Sequence, residues 1–366
     1  MRYPDGHVGW VVTSHELARR ILTDSRFSAR SEFKRAPVHR PGAEPFFGVP
    51  AAPGWLVDTD PPQHTRLRQQ LAGQFTARRM RELRPRLGLI VDDLLSGMER
   101  DGPGADLVEA FALPLASRII CELLGVPGRD RSEFQRNSHI LFDLRSTAVD
   151  TAAALERLTA TIRAIAEGPR VQDTSAGLMQ ALAADGTLTA QEIAGVGVLL
   201  LTAGHDSTTG SLALSVFALL AHPDQLTRLA TDPSIVDNAV EELLRYLSVF
   251  HFGVPRTPLE DLEIEGQWLR AGDSVTVSLS AANRDPRWFE DAPDRLDLGR
   301  RTTGHLAFGH GIHQCLGQNL VRMQMRTALP ALLRRFPALA LAVPAADVPL
   351  STDMSVYGVH RLPVTW

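Results

Sequence analysis

Cysteine and lysine are both scarce in this chain of 366 residues. Cys121 and Cys315 are the only cysteines, so disulfide bonds cannot be what organises the fold. Lys34 is the only lysine among many arginines, and the formal net charge is -4. A mildly acidic chain gives no sign of a surface that attracts nucleic acid. The two cysteines argue against a disulfide-rich scaffold, and the mildly negative net charge argues against a nucleic-acid-binding protein.

Long apolar runs are also missing. The longest, near residues 193–203, is well short of the roughly 18 residues that indicate a membrane span. Residues 1–7 lack the apolar segment of a signal peptide. We therefore expect a cytoplasmic protein with no membrane attachment. Hydrophobic residues still make up 44% of the chain, which is enough for a large globular core.

The hydrophobic pattern predicts a chain that is mostly helical. Helical periodicity dominates residues 62–222, and Ser14 is placed to cap a first helix that ends near Leu22. The expected fold class is mainly α with a minor β region. The predicted non-helical segments are a Pro- and Gly-rich loop at residues 28–62 and strands at residues 8–13, 262–268 and 274–279.

One loop carries the clearest chemical signal. Residues 308–317 read Phe-Gly-His-Gly-Ile-His-Gln-Cys-Leu-Gly and lead into a helical pattern. Gly309 and Gly311 allow turn conformations that other residues avoid, and they let the backbone approach a flat ligand closely. Cys315 lies where the helix begins, and the amides and dipole there favour a thiolate. Such a thiolate is a candidate axial ligand for haem iron, one that favours cleavage of the O–O bond.

The neighbours of Cys315 bear on what it does. Phe308 would shield the sulfur, and Gly317 would let the helix pass close under a porphyrin. Two other interpretations stay open at this point. His310 and His313 could form a small transition-metal site with Cys315, although no second cysteine is nearby. The cysteine could also be a small buried hydrophobic residue, although the Gly, Phe and His around it are unusual for a core turn.

Every fixed position of the pattern Phe-Gly-x-Gly-x-His-x-Cys-x-Gly is present, and through it the chain resembles the bacterial cytochrome P450 family of haem-thiolate monooxygenases. The resemblance extends over about residues 11–366. It implies the helix-rich, triangular-prism P450 fold as a single domain over residues 1–366. It also implies haem b as the cofactor and Cys315 as the axial ligand of its iron. The chain begins near the family's first strand, so its N-terminus is short relative to the family.

A polar interruption lies inside the long apolar helical stretch. A helix that is apolar on all sides is buried, so polar side chains in its middle need a reason. Ser207 can donate to the carbonyl of Ala203 and bend the helix, which is a purely structural explanation. We adopt that explanation for Thr208 and Thr209. For Asp206 and Ser207, the resemblance implies the acid–alcohol pair that delivers protons to bound dioxygen, although the family usually has Thr at the alcohol position.

Haem would bring two propionate carboxylates into the protein, and these need cationic or hydrogen-bonding partners. His64 and Arg68 are one helical turn apart and match the family's His-x-x-x-Arg pattern. Arg256 and His313 match two further positions of the family. The cofactor-binding set that the resemblance implies is His64, Arg68, Arg256, Phe308, Gly309, His313, Cys315 and Gly317.

Glu242 and Arg245 match the family's Glu-x-x-Arg motif, in which two charges face each other on a helix. The resemblance implies a structural role in a buried network behind the haem. The spacing alone means little, because Glu133 and Arg136 have it too and are expected to form a surface pair.

Substrate contacts are expected by analogy with the family, in four parts of the chain. Bulky side chains at residues 250–252 suggest a narrowed or aromatic-contacting pocket, although ordinary core packing explains them about as well. The expected contacts are Phe46, Phe47, Leu199, Ala203, Phe250, His251, Phe252, Val254 and Met354.

The resemblance implies a monooxygenase that inserts one oxygen atom of O2 into a small organic substrate, such as an intermediate of specialised metabolism. No complete Gly-x-Gly-x-x-Gly pattern occurs in the Gly-rich stretches, so neither supports a built-in nicotinamide or flavin site. We therefore expect a separate ferredoxin and an NAD(P)H-dependent ferredoxin reductase, with Arg66 or Arg322 as docking residues. Two alternatives remain, namely a haem sensor or carrier without oxidase chemistry, and a haem enzyme for peroxide-driven, coupling or rearrangement reactions.

Overall fold

The computed structural model describes residues 1–38, 48–168, 177–290 and 292–366. Helices account for most of this part of the chain, which confirms the mainly α prediction. The α-helices are α1 His15–Thr23, α2 Gln63–Ala72, α3 Ala77–Asp101, α4 Leu113–Leu124, α5 Arg131–Phe142, α6 Ala148–Glu167, α7 Leu178–Asp185, α8 Ala190–Ala221, α9 Pro223–Thr231, α10 Val236–Leu247, α11 Leu279–Ala282 and α12 Gln318–Arg335.

The β structure is minor and consists of short strands. They are β1 Trp10–Val12, β2 Phe27–Ser28, β3 Val254–Pro258, β4 Leu262–Ile264, β5 Gln267–Leu269, β6 Val275–Val277, β7 Ala340–Leu341 and β8 Val364–Thr365. Four of them form a mixed sheet in the order β1-β6-β3-β2, in which only β1 and β6 are parallel. The pairs β4–β5 and β7–β8 form separate two-stranded sheets.

Two strand predictions need correction. Strand β3 was not predicted; Pro255 and Pro258 lie within it, and proline is uncommon in inner strands. The predicted strand at residues 262–268 is a hairpin instead. Its chain reverses at Glu265 and Gly266, which have φ values of 49° and 75°. Both differences come from turn and proline chemistry that hydrophobic alternation does not show.

Side-chain caps mark the starts of two helices. The Ser14 hydroxyl accepts a hydrogen bond from Leu17 N at 3.4 Å, which confirms the predicted cap of α1. Helix α8 begins with a capping box, in which Thr189 and Glu192 each bond the other's backbone N–H. Side chains bonding the free amides of the first turn fix where each helix begins.

Helix α8 is 32 residues long and runs through the middle of the core, packed against α4, α5 and α6. Its surroundings explain its composition, because a helix buried on most sides must be apolar on most sides. Helix α12 packs against α3 and α10 and directly follows the cysteine loop. Cys121 is fully buried in α4, and burial raises the pKa of its thiol to about 12, so it is unreactive.

In the described part of the chain, none of the helices combines the length and apolarity that crossing a membrane requires.

Candidate active site

A cavity of about 470 Å³ lies between α8 and the cysteine loop. Its size falls within the range of cofactor and small-molecule sites. Residues that are far apart in the sequence meet on its wall, including Arg68, Ser207, Arg256 and Cys315. The fold therefore brings the motifs from α2, α8, β3 and the loop before α12 to one place.

The glycines of the cysteine loop adopt the predicted special conformations. Gly309 and Gly311 have φ values of 68° and 74°, in the left-handed region that favours glycine. A Cβ on Gly311 would lie only 2.4 Å from the carbonyl oxygen of Leu22, so a side chain there is excluded by space as well. The loop closes through a hydrogen bond from Cys315 N to Phe308 O at 2.9 Å. The turn therefore presents the thiol at a defined point of the cavity wall.

The electrostatics of Cys315 differ in one respect from the prediction. Burial raises the pKa of its thiol, and this effect outweighs the backbone N–H groups of Gly317 and Gln318, which lower it as expected. Arg68 and Arg322 also lower the pKa, through their positive charges. The amides thus act in the predicted direction without making the thiolate the favoured form by themselves. A metal ion bound to sulfur would supply the missing charge, because a coordinating thiol loses its proton outright.

The alternative of a small metal site at Cys315 finds no support. Among the described residues, which include His310, His313 and Cys315, no group of three His, Cys, Asp or Glu side chains is arranged to hold a metal ion. The arrangement therefore gives no reason to treat His310 and His313 as metal ligands.

Among the described residues, three cationic side chains line the cavity, and only two of them were predicted. Arg68 donates from Nη2 to the carbonyl of Gln314 at 2.7 Å, next to Cys315. Arg256 is 5% exposed, and burial lowers the pKa of its guanidinium to about 10. Lys34, which sequence reasoning missed, forms an ion pair with Asp58 on the same cavity. Its only sequence signal is that the chain has no other lysine.

His64 and His313 lie against each other, with ring centroids 4.2 Å apart. Their ring nitrogens are buried and have no hydrogen-bond partner among the described residues. Burial, together with the charge of Arg256, lowers the pKa of His313 to about 2, so its ring is neutral. His313 lines the cavity, whereas His64 lies behind it. A neutral imidazole amid cations is suited to donate its N–H to a carboxylate.

On α8, the Ser207 hydroxyl donates to the carbonyl oxygen of Ala203 at 2.5 Å, as predicted. The pattern continues along the helix, because Ser211 donates to Ser207 O at 2.7 Å and Ser215 donates to Ser211 O at 2.6 Å. All three serines line the cavity. They form a polar row along α8, on a wall that also carries Thr202 and Thr208.

Asp206 points elsewhere. Its Oδ2 accepts hydrogen bonds from the Ser138 hydroxyl of α5 at 2.6 Å and from His205 Nδ1 at 3.1 Å. Burial raises the pKa of this carboxyl, but the effects that lower it, chiefly those of His205 and Ser138, together outweigh burial. The resulting pKa is below the usual value of an aspartate. Asp206 does not belong to the cavity wall that Ser207 helps to form. The predicted acid–alcohol pair is thus adjacent in sequence but divided between the cavity and the α5 contact.

Glu242 and Arg245 are both fully buried. Arg245 donates from Nε and Nη2 to the two carboxylate oxygens at 2.7 and 2.9 Å, and from Nη1 to the carbonyl of Asn283 at 2.7 Å. Asn283 in turn accepts from Leu306 N at 2.6 Å, just before the cysteine loop. The geometry agrees with a structural role, which remains a prediction until the pair is broken.

The expected substrate contacts divide into three groups. Leu199, Ala203, Phe250 and Val254 line the cavity. The structure does not place His251, Phe252 and Met354 on its wall. The His251 ring instead lies against the Phe252 ring, with centroids 3.8 Å apart and planes tilted by 48°, and its Nε2 lies 3.3 Å from Met354 O. Phe46 and Phe47 lie outside the described residues.

Some lining residues carry no sequence signal. Ile120 and Phe142 also reach the cavity, from α4 and from the end of α5. Their patterns are those of ordinary core positions, and only the tertiary fold shows that they face a cavity.

Taken together, these residues fit a haem. Cys315 offers sulfur, the glycines leave space beside it, and a Cβ on Gly317 would lie 4.0 Å from Cys315 Sγ. Arg68, Arg256 and His313 offer a cationic and hydrogen-bonding side for carboxylates. The remaining wall is mostly apolar, as a porphyrin and an organic substrate require.

The chain is similar to known proteins over its whole length. The profile of the family described as Cytochrome P450 matches residues 157–352. Cytochrome P450 105C1 of a Streptomyces species is 47% identical over 364 residues, which cover 100% of this chain and 91% of that protein. Pentalenic acid synthase of Streptomyces avermitilis is 41% identical, covering 99% of this chain and 89% of that protein.

Solved structures agree. The structure of cytochrome P450 TxtC, described as performing sequential aliphatic and aromatic thaxtomin hydroxylation, superposes with a TM-score of 0.92 at 32% identity. The match covers 100% of this chain and 95% of TxtC. With the fold, the cavity and the full-length relatives in agreement, the chain belongs to the cytochrome P450 family and is a haem-dependent monooxygenase similar to those of bacterial secondary metabolism.

Proposed function

We propose that Cys315 is the axial ligand of a haem b and that Arg68, Arg256 and His313 hold its propionates, with His64 supporting His313 from behind. The observation that carries this proposal is the shared cavity, where one thiol faces glycine-lined space beside two guanidinium groups, that of the buried Arg256 and that of the half-buried Arg68. Buried charges need partners, and two carboxylates would supply them. Lys34 adds a further cation at the same cavity, already paired with Asp58.

Haem bound through a thiolate supplies the activation of dioxygen. The protein's own contribution on the other side is proton supply. The Ser207 hydroxyl donates its proton in a hydrogen bond to the carbonyl oxygen of Ala203. That proton becomes available to the cavity when the side chain rotates away from the carbonyl. Asp206 is held as a carboxylate by Ser138 and His205, so it can accept and return a proton on the α5 side of the helix. The mostly apolar wall limits the access of water elsewhere.

The substrate in this proposal is a small organic molecule, chiefly apolar, from specialised metabolism. Leu199, Phe250 and Val254 would contact it, since they line the cavity. The relatives support the substrate class, because pentalenic acid synthase and TxtC are named for reactions on specialised metabolites. The row of serines on α8 offers the substrate hydrogen-bond acceptors that a purely apolar pocket would lack.

Electrons in this proposal come from a ferredoxin and an NAD(P)H-dependent ferredoxin reductase. The two arginines expected to dock the partner are already engaged, since Arg66 pairs with Glu192 and Arg322 binds Glu241 at 2.8 Å. The Arg66 side chain is 42% exposed and the Arg322 side chain 20% exposed, which favours Arg66 for a docking contact. A cytoplasmic location belongs to the same proposal, and cell fractionation tests it.

The proposal is tested with a surrogate ferredoxin and reductase and isotopically labelled dioxygen. Compounds that shift the haem from low to high spin are first selected from a metabolite library. We expect at least one of them to yield a product with one labelled oxygen atom. Binding of gas without any product would indicate a sensor, and turnover only with peroxide would indicate the peroxide-driven alternative.

A further inference from the structure

Glu241, the residue before the buried Glu242, lies at the centre of a second polar cluster. Arg322 of α12 donates from Nε to Oε1 at 2.8 Å and from Nη2 to Oε2 at 2.9 Å. Arg326 donates from Nη2 to Oε1 at 3.1 Å. His305 adds a contact from Nε2 to Oε2 at 3.0 Å. One carboxylate therefore connects α10, α12 and the start of the cysteine loop.

Arg322 reaches from Glu241 to the cysteine loop. Its guanidinium carbon lies 4.5 Å from the centre of the Phe308 ring, which is cation–π geometry. The planar fork is thus held on one side by two charge-assisted hydrogen bonds and covers an aromatic ring on the other. The carbonyl of Phe308 accepts the N–H of Cys315 at 2.9 Å. A continuous series of contacts therefore runs from Glu241 to the backbone of Cys315.

His305 provides a second connection to the same loop. Its Nδ1 accepts a hydrogen bond from Ala307 N at 3.2 Å, so the proton of a neutral ring is on Nε2 and is donated to Glu241. Glu241 thereby fixes the backbone just before Phe308 as well as the ring of Phe308. Two independent contacts hold one short segment in place.

We propose that Glu241 and Arg322 are positioning residues that fix Phe308 and, through it, the backbone of Cys315 beneath the haem. This inference rests on the proposed role of Cys315 as the iron ligand. Neither residue touches the reacting atoms; they act through the loop. The cluster carries out a task different from that of Glu242 and Arg245, which join α10 to the segment around Asn283.

Arg326 supplies the matched control. It is on the same helix as Arg322, one turn further on, and it binds the same Glu241 oxygen that Arg322 binds. Its second partner is Asp237, at 3.0 Å, rather than Phe308. Arg326→Lys and Arg322→Lys both keep a positive charge and lose the planar fork, but only Arg322→Lys removes the stacking on Phe308.

The experiment follows the ferrous carbon monoxide complex of the holoenzyme over time. The wild type should keep the strongly red-shifted Soret band of a thiolate ligand. In Arg322→Lys we expect that band to be lost roughly tenfold faster or more, because two strong hydrogen bonds and a cation–π contact are removed. Arg326→Lys should stay within about twofold of the wild type, as expected of a partly exposed ion pair.

A second variant keeps the inference testable whatever the stability of Arg322→Lys. Glu241→Gln should also accelerate loss of the band, and the double variant should be no faster than the worse single variant, because both act through one series of contacts. Thermal unfolding of each variant separates loss of the band from general unfolding. Equal rates in Arg322→Lys and Arg326→Lys would overturn the positioning role. A wild type without the red-shifted band would instead overturn the ligand role of Cys315.

Discussion

The cavity has two walls that are built differently. The wall formed by the cysteine loop is held by contacts between residues far apart in sequence, such as Arg68 with Gln314 at 2.7 Å on the wall and Asn283 with Leu306 at 2.6 Å just before the loop. On the wall formed by α8, each serine donates to a carbonyl one turn back, as Ser207 does to Ala203. The loop wall thus depends on the whole fold, whereas the helix wall depends on its local sequence. Substitutions far from the cavity should therefore disturb the wall formed by the cysteine loop more than the row of serines on α8.

The largest effect should come from Glu242→Ala, which leaves Arg245 buried without its carboxylate partner. Both side chains are fully buried, and breaking such a pair costs about 3–5 kcal/mol of the free energy of unfolding. Urea denaturation of the holoenzyme measures this loss. Glu82→Ala is the control, because Glu82 and Arg79 have the same helical spacing at an exposed site. Similar small losses in both variants would contradict the proposed structural role of the buried pair.

Next comes Gly311→Ala, set against Gly309→Ala in the same loop. Both glycines have positive φ, so either alanine costs about 1–2 kcal/mol in backbone strain. At Gly311 the new Cβ would also collide with Leu22 O, whereas nothing lies within 4 Å of a Cβ on Gly309. We expect a total loss of about 3 kcal/mol or more at Gly311, measured by thermal unfolding. If Gly309→Ala were the worse variant, the contact with Leu22 would not be what shapes the loop.

Glu241→Gln should show a pH-dependent effect of about 2 kcal/mol at neutral pH. Burial raises the pKa of Glu241, but hydrogen bonds from His305 and Arg322 lower it to about 2, below the ordinary 4.5. A carboxyl with a lowered pKa stabilises the folded state above its unfolded pKa. The advantage of the wild type should therefore be full above pH 4.5 and fade between pH 4.5 and 2. Denaturation across that range checks it, and a difference independent of pH would show that the charge is not involved.

The smallest effects on stability should come from two serine substitutions, one at a contact between α5 and α8 and one at a contact within α8. Ser138→Ala removes the α5 hydroxyl that donates a hydrogen bond to Asp206. It should lower the free energy of unfolding by about 1.5 kcal/mol, since the acceptor is charged. Loss of this hydroxyl should also raise the pKa of Asp206. Ser211→Ala removes only a bond to the carbonyl of Ser207 and should change stability by less than about 0.5 kcal/mol. A larger loss at Ser211 would reverse the expected order of distant and local contacts.

The same distinction explains how much could be predicted from the sequence. The glycine turns, the start of α12 and the bond from Ser207 to Ala203 follow from local chemistry, and the structure confirms them. Recognition of the family also predicted the fold class and the reaction class. The connection of Glu241 to Arg322 was not predicted, because 81 residues separate the two and no local pattern joins them.

Other misses have the same origin. Lys34 reaches the cavity from a segment whose sequence shows only a loop, and Asp206 turns towards Ser138, which lies 68 residues earlier. Strand β3 was not predicted; it contains two prolines, which are uncommon in inner strands, and the sheet nevertheless uses it between β2 and β6. Tertiary contacts determine all three features, and local sequence patterns carry no information about such contacts.

We propose above that Cys315 ligates the haem iron through its sulfur. The most direct measurement is the carbon monoxide spectrum of the reduced protein, compared among the wild type, Cys315→Ser and Cys121→Ser. We predict the strongly red-shifted Soret band in the wild type and in Cys121→Ser, and its loss in Cys315→Ser. Absence of the band from the wild type, or its persistence in Cys315→Ser, would contradict the claim.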